Sequence, residues 1–141
     1  MIRELRKTDI NTAADIWLDT NRKAHDFIPS QYWEGNLETV KELLPQAEVY
    51  VYENNKTIQG FIGLNGEYIE GIFVSAGKQS QGIGKLLLDY AKAGKKKLQL
   101  NVYERNARAI HFYRREGFEI QSEGLDNATG EKDYIMVWVE K

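Results

Sequence analysis

The chain has no cysteine, which excludes disulfides, thiolate catalysis and zinc sites built on cysteine ligands. It has no apolar run near the roughly 18 residues that a membrane-spanning helix needs, and its N-terminal residues do not resemble a signal peptide. It also lacks an excess of positive charge. Its net charge of −2 disfavours a nucleic-acid-binding role. Its two histidines are far apart and have no matched carboxylates, so no metal site is predicted. These absences predict a cytoplasmic protein with no metal, membrane or nucleic-acid partner.

The length and the apolar content predict a single domain that covers residues 1–141. Single domains commonly span about 100 to 150 residues, and 42% hydrophobic residues are enough for one buried core. No linker, repeat or low-complexity tract divides the chain.

Apolar periodicity predicts about seven strands and about four helices. An early hairpin followed by the order β-α-β-α-β-β indicates a mixed sheet covered by helices, of the α/β (α+β) class, with the fourth and fifth strands parallel. Thr8 and Ser30 are candidate N-caps of the first two helices, and Pro45 is expected to end the second. The strands are predicted at 2–6, 48–53, 56–64, 68–74, 98–103, 118–122 and 133–139, and the later helices from 83 and over 107–116.

The segment 72–88 carries the strongest functional signal, because an apolar strand leads through a glycine-bearing turn directly into an amphipathic helix. Amides at such a helix start have no intrahelical partner, and the helix dipole makes that end partly positive. Gly82 and Gly84 would let an anion approach the backbone closely. The spacing Gln79-x-x-Gly82-x-Gly84 lacks the Gly-Lys-Ser/Thr ending of a P-loop, and Leu87 replaces the third glycine of the dinucleotide fingerprint. A turn without a ligand is the alternative interpretation.

A second motif lies at 106–118, where Asn106 can cap a short helix and Gly117 can end it. The two motifs together, Gln-x-x-Gly-x-Gly and Asn-x-x-Ala-x-x-Phe-Tyr-x-x-x-Gly-Phe, resemble those of the GNAT superfamily of acetyl-CoA-dependent N-acyltransferases. Their order and separation also fit this family, and the similar layout extends over essentially the whole chain. The resemblance implies a three-layer fold in which helices flank a mixed sheet of about seven strands.

The resemblance also implies how acetyl-CoA would be held. The backbone of the fourth strand would pair with the pantetheine arm as an added strand would, and amides of the turn would hold the pyrophosphate. Asn106 resembles a cofactor-contacting asparagine, with a pure capping role as the alternative. The implied cofactor-binding residues are Ile72, Phe73, Val74, Gln79, Ser80, Gln81, Gly82, Ile83, Gly84, Lys85, Asn106 and Tyr113.

Two residues are assigned to the chemistry. Tyr113 matches the family tyrosine that serves as general acid for the departing thiolate, with a buried aromatic role as the alternative. Glu70 lies where some relatives carry the carboxylate that deprotonates the amine. Relatives that acetylate protein N-termini often carry a glutamate at the position of Asn101. The asparagine amide cannot take a proton, so Asn101 cannot replace that glutamate as a base. Glu67 and His25 are therefore alternative bases.

The resemblance implies that the loop between the first two helices forms one wall of the acceptor site. Direct attack on acetyl-CoA in a ternary complex is the expected mechanism, with a lysine side chain, a peptide or a small-molecule amine as acceptor. The alternative function is an acetyl-CoA-binding regulatory module without turnover, and the chain could be a monomer or a homodimer. The candidate substrate-binding residues are His25, Phe27, Tyr32, Trp33 and Asn101.

Overall fold

One mixed sheet of seven strands organises the fold. The computed structural model describes residues 1–141, and the sheet has the order β1-β2-β3-β4-β5-β7-β6. All neighbouring pairs are antiparallel except β4 and β5, which are parallel, so the predicted mixed sheet is confirmed. The strands are β1 Ile2–Glu4, β2 Glu48–Asn54, β3 Thr57–Asn65, β4 Tyr68–Val74, β5 Lys97–Tyr103, β6 Glu119–Asp126 and β7 Glu131–Val139.

Five α-helices flank the sheet, one more than the sequence predicts. The predicted second helix is interrupted at Asn36, whose side-chain amide donates to the Tyr32 carbonyl at 2.7 Å. Such a local side-chain bond competes with the helical ladder, and a new helix begins at Leu37. The helices are α1 Ile10–Ala24, α2 Ser30–Gly35, α3 Leu37–Leu43, α4 Ile83–Ala93 and α5 Ala107–Arg115. None of them combines the length and the hydropathy that a bilayer crossing requires.

Two hydrophobic cores lie on opposite faces of the sheet. The larger core joins α4 and Tyr113 of α5 to inward-facing residues of β3, β4, β5 and β7. The smaller core packs α1 and Leu44 against β2 and Phe61 of β3. Removing this much apolar surface from water is the main stabilising term. The result is the three-layer arrangement that the sequence predicts.

A β-bulge at Glu70 changes which side chains share a face of β4. Gly63 is opposite Gly71 and Leu64 is opposite Ile69, so Glu70 has no partner across the ladder. The alternation of a regular strand predicts that Glu70, Ile72 and Val74 share one face of β4, and this prediction is wrong because of the bulge. Ile69 and Ile72 both contact the larger core, whereas a side chain at Gly63 would meet the Glu70 Cβ atom at 3.7 Å on the face of the smaller core.

The sheet parts between β4 and β5. The two strands pair only at Tyr68 and Gln99, where the Gln99 amide donates to the Glu67 carbonyl at 2.9 Å. Beyond this point the outer edge of β4 has no strand beside it. An unpaired strand edge presents free N–H and C=O groups, which positions a binding cleft at this place in the fold.

Candidate active site

A cleft of about 1,100 Å³ opens where β4 and β5 part. Its walls are the end of α1, the edge of β4, the turn before α4, and the exposed face of α5. Phe27, Tyr32, Trp33, Glu70, Gln81 and Asn101 lie outside the lining. The residues that the sequence assigns to the site and that do line the cleft are His25, Ile72, Phe73, Val74, Gln79, Ser80, Gly82, Ile83, Gly84, Lys85, Asn106 and Tyr113.

The turn before α4, residues 75–82, forms a backbone cradle. The Lys78 amide donates to Ser75 and the Leu86 amide donates to Gly82, but the amides from 79 to 85 between them donate to no backbone carbonyl. Ser80 and Gly82 have φ values of +65° and +85°, and left-handed residues in a turn direct successive N–H groups into a concave array. Together with the N-terminus of α4, these amides form a site suited to an anion.

The two glycines of the cradle serve different purposes. Gly82 is the N-cap of α4 and lies in the left-handed region, which a side chain would strain. Gly84 is helical, and a Cβ atom there would meet the Phe112 ring at an ordinary contact of 3.6 Å. Gly82 therefore permits the left-handed turn. Gly84 places no side chain on the first turn of the helix, so a ligand can approach the backbone there.

The edge of β4 presents backbone groups to the cleft. The Ser75 amide donates to the Gln59 carbonyl of β3 at 2.9 Å, and backbone direction alternates along a strand. Phe73 therefore directs its backbone toward β3, whereas Ile72 and Val74 direct theirs toward the cleft. The Val74 carbonyl accepts a bond of 3.0 Å from the Gln79 side-chain amide. Of the three predicted backbone contacts, Ile72 and Val74 are the ones with outward-facing groups.

Tyr113 lies at the bottom of the cleft on α5, with 8% of its surface exposed. Its ring packs against Phe112 and Phe118 at centroid distances of 5.2 and 5.4 Å. Burial, and to a lesser extent the neighbouring Tyr68, raises the pKa of its phenol well above the usual 10. The phenol therefore keeps its proton throughout the neutral range and can donate it.

Asn106 uses both ends of its side chain. Its Oδ1 accepts from the Ala109 amide at 3.2 Å, which caps α5 as predicted. Its Nδ2 lies 3.1 Å from Nε2 of His25, in the loop after α1. Capping is thus established, and the second contact ties α5 to the opposite wall of the cleft.

His25 lies within an aromatic cluster, the set of rings formed by His25, Phe27, Tyr32, Trp33 and Tyr103. It stacks on Trp33 at 5.4 Å and meets Tyr103 edge-on at 5.0 Å. Burial lowers the pKa of His25 to about 4. Its Nδ1 atom is sealed from solvent without a partner, and Nε2 is engaged by Asn106. This arrangement favours a packing role for His25 in the loop over a role as general base.

Phe27, Tyr32 and Trp33, which the sequence also assigns to the acceptor, lie outside the lining of the cleft. Trp33 is 7% exposed and packs against Trp17 and Tyr32. Phe27 contacts Tyr103 at 5.9 Å and lies beneath the guanidinium of Arg105 at 5.4 Å. Buried aromatic packing of this kind orders a loop.

A second group of polar side chains lies where β4 and β5 still pair. The Tyr68 hydroxyl donates to Oδ1 of Asn101 at 2.9 Å, and Nδ2 of Asn101 donates to Asp133 at 3.3 Å. Burial, and next the charge of Glu70, raises the pKa of Tyr68. Tyr68 is therefore the residue of this group that lies near both Glu70 and Tyr113. Sequence reasoning missed Asp133 because its contact depends on the pairing of β5 with β7.

Sequence reasoning also missed Arg108 in the first turn of α5. Its guanidinium donates to the Gln79 side-chain oxygen at 3.0 Å and to the Ser80 hydroxyl at 3.1 Å. Lys85, one of the residues that the resemblance assigns to cofactor binding, pairs with Glu116 at 2.9 Å and with Asp89 at 3.2 Å. The only sequence signal for Arg108 is its position two residues after the capping asparagine.

Comparison with known proteins agrees with this geometry. Residues 45–120 match the family model described as acetyltransferase (GNAT) domain. Peptidyl-lysine N-acetyltransferase YiaC of Escherichia coli strain K12 is 31% identical over 140 residues, which cover 98% of this chain and 96% of that protein. The solution structure of apo-form YjaB from Escherichia coli has a TM-score of 0.88 at 25% identity and covers 100% of this chain and 98% of its own.

A further structure, paiA N-acetyltransferase from Thermoplasma acidophilum in complex with coenzyme A, has a TM-score of 0.83 at 22% identity. The superposition covers 99% of this chain and 98% of that one, which shows a shared fold. The match to the family model spans more than half of the chain, and the identity to YiaC extends along nearly all of it. This protein therefore belongs to the GNAT family and is an acetyl-CoA-dependent acetyltransferase that acts on an amine.

Proposed function

We propose that this enzyme acetylates the side-chain amine of lysine in a peptide or protein. The observation that carries the proposal is the 31% identity, along 98% of the chain, to a protein named peptidyl-lysine N-acetyltransferase.

The cleft has features that fit acetyl-CoA. The outward backbone groups of Ile72 and Val74 suit the amides of the pantetheine arm, and the free amides of the cradle suit the pyrophosphate. A volume of about 1,100 Å³ leaves room for the nucleotide. Acetyl-CoA, when bound, supplies the activated acetyl thioester.

Glu70 is the proposed general base. A lysine ammonium must lose a proton before its nitrogen can attack, and a carboxylate can accept that proton directly or through a water molecule. The bulge turns Glu70 out of the ladder onto the face opposite the larger core. The nearby Asp133 would also favour the approach of a cationic side chain.

Tyr113 is the proposed general acid. As the new bond between the lysine nitrogen and the acetyl carbon forms and the carbon–sulfur bond breaks, the Tyr113 hydroxyl would give its proton to the sulfur. Its raised pKa keeps that proton in place at neutral pH. The contact of Asn106 with His25 would hold α5, and hence Tyr113, at a fixed distance from the acceptor side.

The test combines binding with turnover on the purified chain. Thermal stabilisation by acetyl-CoA is measured first, since a ligand at 100 times its Kd should add about 2.7 kcal/mol. Thiol release is then followed with a lysine peptide whose N-terminus is blocked, and mass spectrometry locates the product. The matched control peptide carries arginine in place of lysine.

Acetylation of the lysine peptide and not of the arginine peptide supports the proposal. Transfer only to a peptide with a free N-terminus, or only to small amines, would show that the acceptor is not a lysine side chain. Stabilisation by acetyl-CoA without release from any acceptor would instead indicate a binding module without turnover.

A further inference from the structure

The cationic side chains around the cleft differ in whether their charge is already neutralised. Lys85 pairs with Glu116 and Asp89. Lys23 pairs with Asp19 at 3.0 Å, and Arg105 pairs with Glu131 at 3.6 Å. These pairs leave little net positive charge for a ligand.

Arg108 has only neutral partners. Its two bonds go to the side chains of Gln79 and Ser80, both in the cradle. A guanidinium has five N–H donors in a planar fork, so most of them remain for another acceptor. Arg108 therefore brings a full positive charge to the cradle without a counter-ion from the protein.

The position of this charge is fixed rather than free. Gln79 accepts from Arg108 through Oε1 and donates to the Val74 carbonyl through Nε2, so both ends of its amide are held. Ser80, the second partner, lies in the left-handed region next to the free amides. The guanidinium thus stands beside the array of N–H groups that is suited to an anion.

Lys78 also lines the cleft, but an ammonium on a flexible stem is a point charge that does not match two phosphate oxygens at once. Arg115 lines it as well, with its guanidinium over the Phe112 ring at 5.9 Å. Of the basic groups, Arg108 alone combines contact with the cradle, fork geometry and an unneutralised charge.

We propose that Arg108 binds a phosphate group of acetyl-CoA and supplies the charge that the cradle amides lack. The inference rests on the proposed binding of acetyl-CoA in this cleft. A charge-assisted bond is roughly twice as strong as a neutral one, so phosphate oxygens would displace Gln79 and Ser80 as partners or share the guanidinium with them. The pyrophosphate and the 3′-phosphate have the same chemistry toward an arginine, and the experiment separates them.

The test measures the dissociation constant of CoA for the wild-type chain and for Arg108→Ala, Arg108→Lys and Arg114→Ala. Arg114 is the matched control, because it is an exposed arginine on the same helix that does not line the cleft. We expect Arg108→Ala to weaken CoA binding about tenfold or more and to reduce its salt dependence. Arg108→Lys should recover part of the affinity, and Arg114→Ala should bind as the wild type does.

Two ligands locate the contact. Dephospho-CoA lacks the 3′-phosphate, so an undiminished effect of Arg108→Ala on this ligand assigns the pyrophosphate and a lost effect assigns the 3′-phosphate. Acetyl-pantetheine lacks both groups, and its turnover should be equal in the wild type and in Arg108→Ala.

Unchanged CoA affinity in Arg108→Ala would overturn the inference. An equal loss with acetyl-pantetheine would overturn it too, because the residue would then act only by holding the cradle. If Arg108→Ala weakens CoA binding but the wild-type enzyme acetylates no lysine, the proposed acceptor is refuted and the role of Arg108 stands.

Discussion

Nδ2 of Asn106 lies 3.1 Å from Nε2 of His25 and joins the loop after α1 to the helix that carries Tyr113. Because an amide nitrogen can only donate, Nε2 of His25 must accept, and the ring proton must be on Nδ1. The contact therefore requires a neutral imidazole. It links the loop after α1 to α5, on opposite walls of the cleft, through two residues 81 positions apart.

Replacement of His25 by phenylalanine tests the coupling of this contact to pH. Burial lowers the pKa of His25 from 6.5 to about 4 in the folded chain. As the pH falls, His25 therefore takes up a proton in the unfolded chain before it does so in the folded chain. Its contribution to the free energy of unfolding is fully present above pH 6.5 and is lost as the pH drops toward 4. We expect His25→Phe to lose less stability than the wild type over this interval, as measured by urea unfolding. Parallel pH dependence of the two proteins would contradict the assignment.

Replacement of Tyr113 by phenylalanine tests the general acid. The ring packing is retained, so acetyl-CoA affinity should be unchanged while kcat falls about 100-fold, within the usual range for general acid catalysis. Steady-state kinetics with the lysine peptide measure both values. Tyr90→Phe is the control, since Tyr90 is an exposed tyrosine of α4 outside the cleft. Equal kcat in wild type and Tyr113→Phe would remove Tyr113 from the chemistry.

Replacement of Glu70 by glutamine tests the general base. Glutamine cannot accept the proton of the ammonium, so kcat should fall and the acidic limb of the pH–rate profile should flatten. Glu67→Gln is the matched control in the turn that precedes β4. If the acidic limb flattens in the Glu67 variant instead, the base lies at that position, and if neither variant changes it, a different proton acceptor is required.

Gly84 offers a test of the cradle in which the fold should survive. A Cβ atom there would meet Phe112 at 3.6 Å, so Gly84→Ala should fold and bind acetyl-CoA with little loss. Gly84→Asp should fold as well but abolish binding, because a carboxylate would occupy the anion position and repel phosphate. Calorimetric titration with acetyl-CoA compares the two variants. Binding by Gly84→Asp at wild-type affinity would argue against an anion site at this turn.

Gly60 of β3 is required for packing rather than for binding. A Cβ atom at this position would lie 2.8 Å from the Phe73 carbonyl oxygen and 3.3 Å from Ile83. Gly60→Ala should therefore lower the free energy of unfolding by about 1–3 kcal/mol. Gly35→Ala is the control, since nothing lies within 4 Å and alanine favours the helix. Urea midpoints that agree for Gly60→Ala and the wild type would show that the strands can move apart.

The parts of the site that sequence predicts are those built from local signals. The turn 75–82 depends on glycines at fixed offsets, and the cap at Asn106 depends on one side chain and the amide three residues later. Both are properties of neighbouring residues, and both are confirmed as structural features. Their assignment to acetyl-CoA rested on the order and separation of the two motifs.

The parts that sequence does not predict depend on contacts between distant segments. The bulge at Glu70 arises from the register between β3 and β4, so strict alternation does not predict the face on which this residue lies. Arg108 contacts residues 28 and 29 positions earlier. The burial of Trp33 behind His25 follows from the packing of α1 on α2. No local pattern encodes these distances.

The parting of the sheet has a consequence for cooperativity. Since only Tyr68 and Gln99 pair across the junction, the backbone ladders divide the sheet into two antiparallel blocks, β1-β2-β3-β4 and β5-β7-β6. The larger core unites them, because Ile62 and Leu100 contribute to it from opposite sides of the junction. The two halves are therefore joined mainly by side-chain packing rather than by a backbone ladder, so substitutions that weaken the larger core should destabilise both halves together.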